Sequence, residues 1–279
     1  MKDIVILYHG NCPDGFAAAF AAWKKFKNEA TYIPVFHGEP MPGELDGKEI
    51  YMVDFSYPQE QLLDLEKRAK RFVVLDHHSG AREAVEKVKE HVFDNDRSGA
   101  GISWGYFHPD APLPRLLAYI QDNDLWRKSL PNGKEVAAFL GTVKFDFDTF
   151  DKLLSQFENE KEFAVICGKG RSYREYFEFV VEDLIEKAEE VQFDEYTIYA
   201  VNAPRLFRSE LGNRLATLHP PFSIIWYQNH GMWHFSMRGD GSVDLSEVAK
   251  RYGGNGHHNA ASFRLPLSKP FPFTPTHSS

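Results

Sequence analysis

The stretch Arg71-Phe72-Val73-Val74-Leu75-Asp76-His77-His78 runs from an apolar segment straight into three chemically active side chains. An unbroken apolar run containing two valines predicts a strand buried on both faces, as inside a parallel sheet. The same design recurs upstream. Residues 3–8 form a short β-branched run that ends at His9, residues 30–36 read as strand, and residues 49–55 carry Asp54 near their end. Helix patterns at 16–26 and 59–70 lie between them. Strands alternating with helices pair in parallel through βαβ crossovers, which predicts an α/β sheet. In such sheets the active groups collect beyond the carboxyl ends of the strands.

Beyond Asp94 the pattern turns helical, at 100–107, 113–122, 136–140 and 147–157. A long polar stretch, 162–190, reads as one helical connection. Strands at 195–201, 221–227 and 232–238 follow, with helices at 208–218 and 245–252. The expected architecture is α/β: an N-terminal parallel-sheet domain (1–157), a helical linker (158–190) and a smaller C-terminal α/β domain (191–279). The tail from Pro266, rich in Pro, Ser and Thr, is expected to be poorly ordered.

Composition narrows the function. The 279 residues carry 32 Lys+Arg against 40 Asp+Glu, a formal charge of −8, which argues against grip on long duplex nucleic acid. With 43% hydrophobic residues the chain is neither disordered nor collagen-like. No apolar run approaches the roughly 20 residues that span a bilayer, so no membrane insertion is expected. The apolar N-terminus contains Asp3 and no small-residue cleavage site, and reads as a buried strand. Two cysteines, Cys12 and Cys167, build no disulfide framework, which fits a reducing cytoplasm.

Four groups of candidate residues fall where elements end: His9-Gly10-Asn11-Cys12-Pro13-Asp14-Gly15, Asp54, Asp76-His77-His78, and Asp122-Asn123-Asp124. Singly, each aspartate is as easily a turn or cap residue. Together, three strand ends of one sheet aim His9, Asp14, Asp54, Asp76 and His77 at one edge. Carboxylates so gathered repel one another unless a cation joins them. A mixed carboxylate and imidazole set suits Mn²⁺, Fe²⁺, Co²⁺ or Zn²⁺ better than Ca²⁺. A bridging carboxylate holds two ions roughly 3.5–4 Å apart, the spacing used for in-line attack on phosphorus. A fifth group, Gly253-Gly254-Asn255-Gly256-His257-His258, could present backbone N–H groups to an anion. The fork of Arg238 could hold a phosphate bidentately.

These ordered motifs resemble the DHH phosphoesterase superfamily, and the segment from Arg238 through Ala261 resembles the DHH-associated C-terminal domain. The resemblance runs from residue 9 to about 265. It implies two metal ions, Mn²⁺ foremost with Zn²⁺, Fe²⁺, Co²⁺ or Mg²⁺ as alternatives. His9, Asp14 and Asp54 would ligate one ion, and Asp54, His77 and Asp122 the other. Asp76 would orient an imidazole and His78 would face the substrate phosphate. Arg238, Gly254, Gly256 and His257 would hold a terminal phosphate. Two departures stand out. The family commonly has two aspartates flanking one residue in its first motif; here only Asp14 is present, with Cys12 two positions before and Phe16 two after. Either Phe16 or Cys12 therefore occupies a ligand position, and Cys12 is expected to pack or to support the ligands. Asp124 competes with Asp122, which is preferred.

The activity so implied is metal-dependent hydrolysis of short oligonucleotides or small nucleotide phosphoesters, in a cleft between two lobes. Alternatives are a phosphatase for bisphosphonucleotides or short polyphosphate, and a nucleotide sensor with weakened catalysis, which the ligand lost at Phe16 would explain. The sequence is compatible with a homodimer.

Overall fold

The computed structural model describes residues 2–276. The chain divides into two compact units, Met1–Arg174 and Glu175–Ser279.

The first unit runs β1 (Ile4–His9), α1 (Pro13–Phe26), β2 (Ala30–Val35), β3 (Glu49–Val53), α2 (Gln59–Arg68), β4 (Arg71–Asp76), α3 (Arg82–Val85), β5 (Glu90–Phe93), α4 (Gly99–Phe107), α5 (Arg115–Asp124), α6 (Gly133–Leu140) and α7 (Phe147–Glu158). Its sheet is wholly parallel in the order β2-β1-β3-β4-β5. Period-2 alternation sends Val5, Leu7, Ile50, Met52, Phe72 and Val74 to one face, against α2 and α3. Ile6, Tyr51, Val53, Val73 and Leu75 go to the other, with α1, α4, α5 and α7. Both faces are covered, which is why these strands read as continuous apolar runs. Strand β5 was not legible in advance: Glu90-His91-Val92-Phe93 is short and half polar, as an edge strand can be.

Helix α8 (Glu160–Glu186) carries the chain from one unit into the other. The second unit continues with β6 (Glu189–Phe193), β7 (Tyr196–Asn202), α9 (Arg208–Leu218), β8 (Phe222–Asn229), β9 (Met232–Gly239), α10 (Leu245–Arg251), β10 (Asn255–His257), β11 (Ala260–Pro266) and β12 (Phe273–Pro275). Its sheet, ordered β10-β11-β9-β8-β7-β6-β12, is antiparallel except between β7 and β8. Neighbouring Ile224 and Ile225 point to opposite faces. Ile224 meets Leu245, Val248 and Ala249 of α10, whereas Ile225 meets Leu211 and Leu215 of α9.

Three expectations are corrected here. The helical stretch stops at Glu186, and Glu189 already begins β6. The glycine-rich segment, expected to offer its backbone N–H groups to an anion, is a hairpin, β10 against β11. The tail from Pro266 is largely built in, because Phe271 and Phe273 pack on the second core and β12 pairs with β6. The last three residues of that tail lie outside the described part. Among the described residues no helix is long and apolar enough to cross a membrane.

Candidate functional site

In the order β2-β1-β3-β4-β5 the winding direction reverses between β1 and β3, and ligand crevices of parallel sheets open beyond the carboxyl ends at such a point. His9 ends β1, Asp54 follows β3, and His77 follows β4. Asp54 has a left-handed backbone, φ 54°, which a non-glycine residue adopts at a cost. Its N–H donates to the Leu75 carbonyl at 2.8 Å, fixing the turn that points the carboxylate into the crevice. Helix α1 supplies Asp14 in its first turn, and α5 supplies Asp124 in its last.

The N-terminus of α4, capped by Ser98, also arrives here. A Cβ on Gly99 would lie 2.4 Å from the Asp54 Cβ, so only glycine lets the helix come this near. The Ala100 N–H donates to Asp14 Oδ1 at 3.1 Å, bringing the positive end of the helix to the acids. The sequence pattern predicts a helix at 100–107 but does not link it to the site. The signal was Ser98-Gly99-Ala100-Gly101, a cap followed by two glycines at a helix start.

His77 Nε2 stands among three carboxylates: Asp54 Oδ1 at 3.1 Å, Asp124 Oδ2 at 3.6 Å and Asp14 Oδ2 at 3.9 Å. His9 Nδ1 lies 3.4 Å from Asp54 Oδ2. Close as they are, His9 Nδ1, Asp14 Oδ2 and both Asp54 oxygens are buried without a properly directed hydrogen bond. Buried polar atoms normally have partners, and here they converge on shared space instead of on one another. A divalent cation fits that donor set. The donor atoms fall into three groups, each with its members within 4.8 Å of one another: His9, Cys12 and Asp54; Asp14, His77 and Asp124; Asp54, His77 and His78.

Titration follows the same geometry. Burial, reinforced by Asp54 and Asp124, pushes the Asp14 carboxyl well above the usual carboxylate range. Burial raises Asp124 too. For Asp54 burial pushes upward, but the rings of His77 and His9 outweigh it and hold the carboxyl below that range.

The structure gathers His9, Asp14, Asp54 and His77, and corrects two other expectations. Asp122 is outside the cluster. Its oxygens accept from the Ser129 N–H at 3.0 and 3.1 Å and from the Ser129 hydroxyl at 2.5 Å, so it closes the loop after α5. Asp124 takes the place beside His77. Asp14 groups with His77 and Asp124 and not with His9, whose set contains Cys12 instead. The Phe16 ring belongs to the apolar core. It is buried against Phe145, Phe147 and Phe150, with centroids 4.8–5.5 Å away. Burial pushes the Cys12 thiol up to about 12.

Asp76, fully buried, accepts at Oδ1 from the backbone N–H groups of His77 (2.7 Å) and His78 (3.2 Å) and contacts His78 Nδ1 at 2.7 Å. Its Oδ2 accepts from the Ser56 hydroxyl at 2.5 Å. The imidazole it orients is therefore that of exposed His78, which this bond raises to about 8.

In the second unit, β-sheet register aligns His257 with Ala260 and Ala260 with Arg238, so His257 and Arg238 share one face. Arg238 lies against α9, donating to Ser209 Oγ at 3.0 Å. Burial and neighbouring Arg208 lower its pKa, and burial and Arg205 lower that of Arg208. Among the described residues none of these three arginines has a carboxylate partner. Arg205 and Arg208 were not anticipated, because at a helix start they read as ordinary surface charge. The glycine cradle is not free. The Gly254 N–H donates to the Ala249 carbonyl at 2.8 Å and the Gly256 N–H to Asn255 Oδ1 at 2.8 Å. These glycines are needed because a Cβ on Gly256 would lie 2.3 Å from the Ala261 Cα.

No family model matches the chain. An uncharacterised protein of Acanthamoeba polyphaga mimivirus is 32% identical over 284 residues, covering 92% of this chain and 66% of its own length. Oligoribonuclease NrnB of Bacillus subtilis is 31% identical over 235 residues, covering 73% of this chain and 55% of its own length. The chain thus spans just under two thirds of one curated relative and just over half of the other. Among solved structures, the pGpG-specific phosphodiesterase PggH of Vibrio cholerae superposes over 95% of this chain and 94% of its own, with a TM-score of 0.54 at 13% identity. The DHH domain of a protein described as belonging to a family of ribosomal proteins covers 94% of this chain and 82% of its own, with a TM-score of 0.55 at 14% identity. At such identities a superposition establishes a shared fold. That fold is the fold of a DHH domain, and His9, Asp14, Asp54 and Asp76-His77-His78 stand in order along it.

Proposed function

We propose that the chain is a divalent-metal-dependent phosphoesterase that hydrolyses short oligonucleotides or small nucleotide phosphoesters. The observation that carries this is the set of buried, unpartnered donor atoms on His9, Asp14 and Asp54, gathered around His77 at the switch point of the parallel sheet. His9 and Asp54 would hold one ion, and Asp14, His77 and Asp124 a second beside Asp54. When bound, such ions polarise the phosphoryl group and lower the pKa of an attacking water. Oxygen and nitrogen donors of this kind suit Mn²⁺, with Fe²⁺, Co²⁺, Zn²⁺ and Mg²⁺ as alternatives.

The chain's own residues supply the rest. Asp76 fixes His78 through Nδ1, leaving Nε2 to donate toward a phosphoryl oxygen. In the cation-free protein the bond to Asp76 raises the ring to about 8, and a protonated ring offsets charge developing on that oxygen. The ring is exposed, so a substrate can approach it. Arg205, Arg208 and Arg238 of the second unit, with no carboxylate partner among the described residues, would hold a phosphate group.

Support for a nucleotide substrate comes from NrnB and PggH, whose names state oligoribonuclease and pGpG phosphodiesterase activity. The −8 charge supports a small substrate over a long polymer. The test is turnover of a dinucleotide, an oligoribonucleotide series, a bisphosphonucleotide and polyphosphate by protein of measured metal content. Cleavage of the short oligonucleotides that stops in chelator is expected. Nucleotide binding without turnover by fully loaded protein would favour a sensor instead.

A further inference from the structure

We propose that Cys12 is a thiolate ligand of the metal centre, sharing one ion with His9 and Asp54. The inference rests on the metal centre proposed above and adds to it a soft donor, which none of the other gathered residues is.

Four observations carry it. The sulfur of Cys12, a ring nitrogen of His9 and a carboxylate oxygen of Asp54 lie within 4.8 Å of one another. In that group Asp54 is 1% exposed, and both its oxygens, like His9 Nδ1, lack a hydrogen-bond partner. Asp14, the obvious carboxylate to complete the set, is engaged elsewhere: it stands with His77 and Asp124 and accepts from the Ala100 N–H. Without Cys12 this side of the centre has only two side-chain donors. Finally, the two cysteines differ. Cys167 belongs to the apolar core, whereas Cys12 joins neither core cluster of its unit.

Local geometry explains how the sulfur comes back to the site. Asn11 has φ 55°, which reverses the chain after β1, and Pro13 opens α1 directly after Cys12. Cys12 occupies the cap position of that helix, yet its side chain makes no cap bond. Loading the site breaks the S–H bond and forms a sulfur–metal bond, and the proton passes to solvent. A sulfur ligand moves preference from Mg²⁺ and Mn²⁺ toward Zn²⁺, Fe²⁺ or Co²⁺.

The experiment uses the full chain, stripped of metal and titrated with Co²⁺ while absorbance and bound cobalt are followed. A sulfur-to-cobalt charge-transfer band in the near ultraviolet is expected in the wild type and in Cys167→Ser. The band should be absent in Cys12→Ser. Should Cys12→Ser fold poorly, Cys12→Asp replaces the sulfur by an oxygen donor. It should bind cobalt without the band, and lose about tenfold or more in Cd²⁺ affinity while keeping Mn²⁺. Cobalt bound to the wild type without the band, or a band that survives in either Cys12 variant, overturns the thiolate ligand and leaves the metal centre standing. No cobalt binding at all overturns both.

Discussion

The donor cluster of the first unit and the arginine patch of the second each gather side chains of like charge, and they do it differently. The cluster is anionic and deeply buried: Asp14 and Asp54 are 1% exposed, and Asp14 Oδ2 and both Asp54 oxygens lack a hydrogen-bond partner. The patch is cationic and only half-buried, with Arg238 braced by Ser209. Burial makes the first arrangement costly, since carboxylates in a dry crevice repel strongly or take up protons. The second is cheap, because guanidinium groups near water are screened. The contrast teaches what each awaits. A buried acid cluster is relieved by a cation or by protons, whereas an open arginine patch can stay empty until an anion arrives.

The contrast can be broken at its strongest point first. Asp54→Asn should lower turnover with Mn²⁺ by about 10³-fold, roughly 4 kcal/mol, while the protein still folds. Near-normal activity at full metal content would remove the two-ion scheme. Next comes the helix that serves the acids. Gly99→Ala should destabilise the chain by about 2–3 kcal/mol, because its Cβ would sit 2.4 Å from that of Asp54. Denaturant unfolding measures this, and an unchanged midpoint would mean that α4 need not approach so closely. On the cationic side, Arg238→Ala should raise KM about tenfold with little change in kcat. An unchanged KM would deny the patch a share in substrate binding.

The smallest effect concerns pH. His78 is raised from 6.5 to about 8 by its bond to Asp76. Its stabilising contribution is therefore complete below pH 6.5 and fades as pH rises through about 8. Because the ring is 43% exposed, the loss in cation-free protein should be about 1 kcal/mol or less. NMR titration should place the midpoint near 8, and His78→Gln should flatten this part of the stability profile. A midpoint at the ordinary value would separate His78 from Asp76.

Much of the first sheet was legible because a strand buried on both faces must be apolar along its whole length. His9, Asp54 and His77 were legible for the same reason, since each stands where such a run ends. Asp122 and Asp124 were not separable by pattern. They lie two residues apart on α5, and what divides them is Ser129, which folds back and captures the first. Arg208 carried no local signal, and its pairing with Arg238 depends on which helix covers that face of the second sheet.

Sequence by itself determined the alternation of elements, the parallel sheet and the chemical types brought to one edge. Local hydrophobic period and strand-end position are enough for that. Only tertiary structure decided how the donors divide. The N-terminus of α4 approaches from residues distant in sequence, passes Asp54 because Gly99 has no side chain, and gives its N–H at Ala100 to Asp14. That contact stands with the grouping of Asp14 beside His77 and Asp124, and leaves Cys12 as the third donor next to His9 and Asp54.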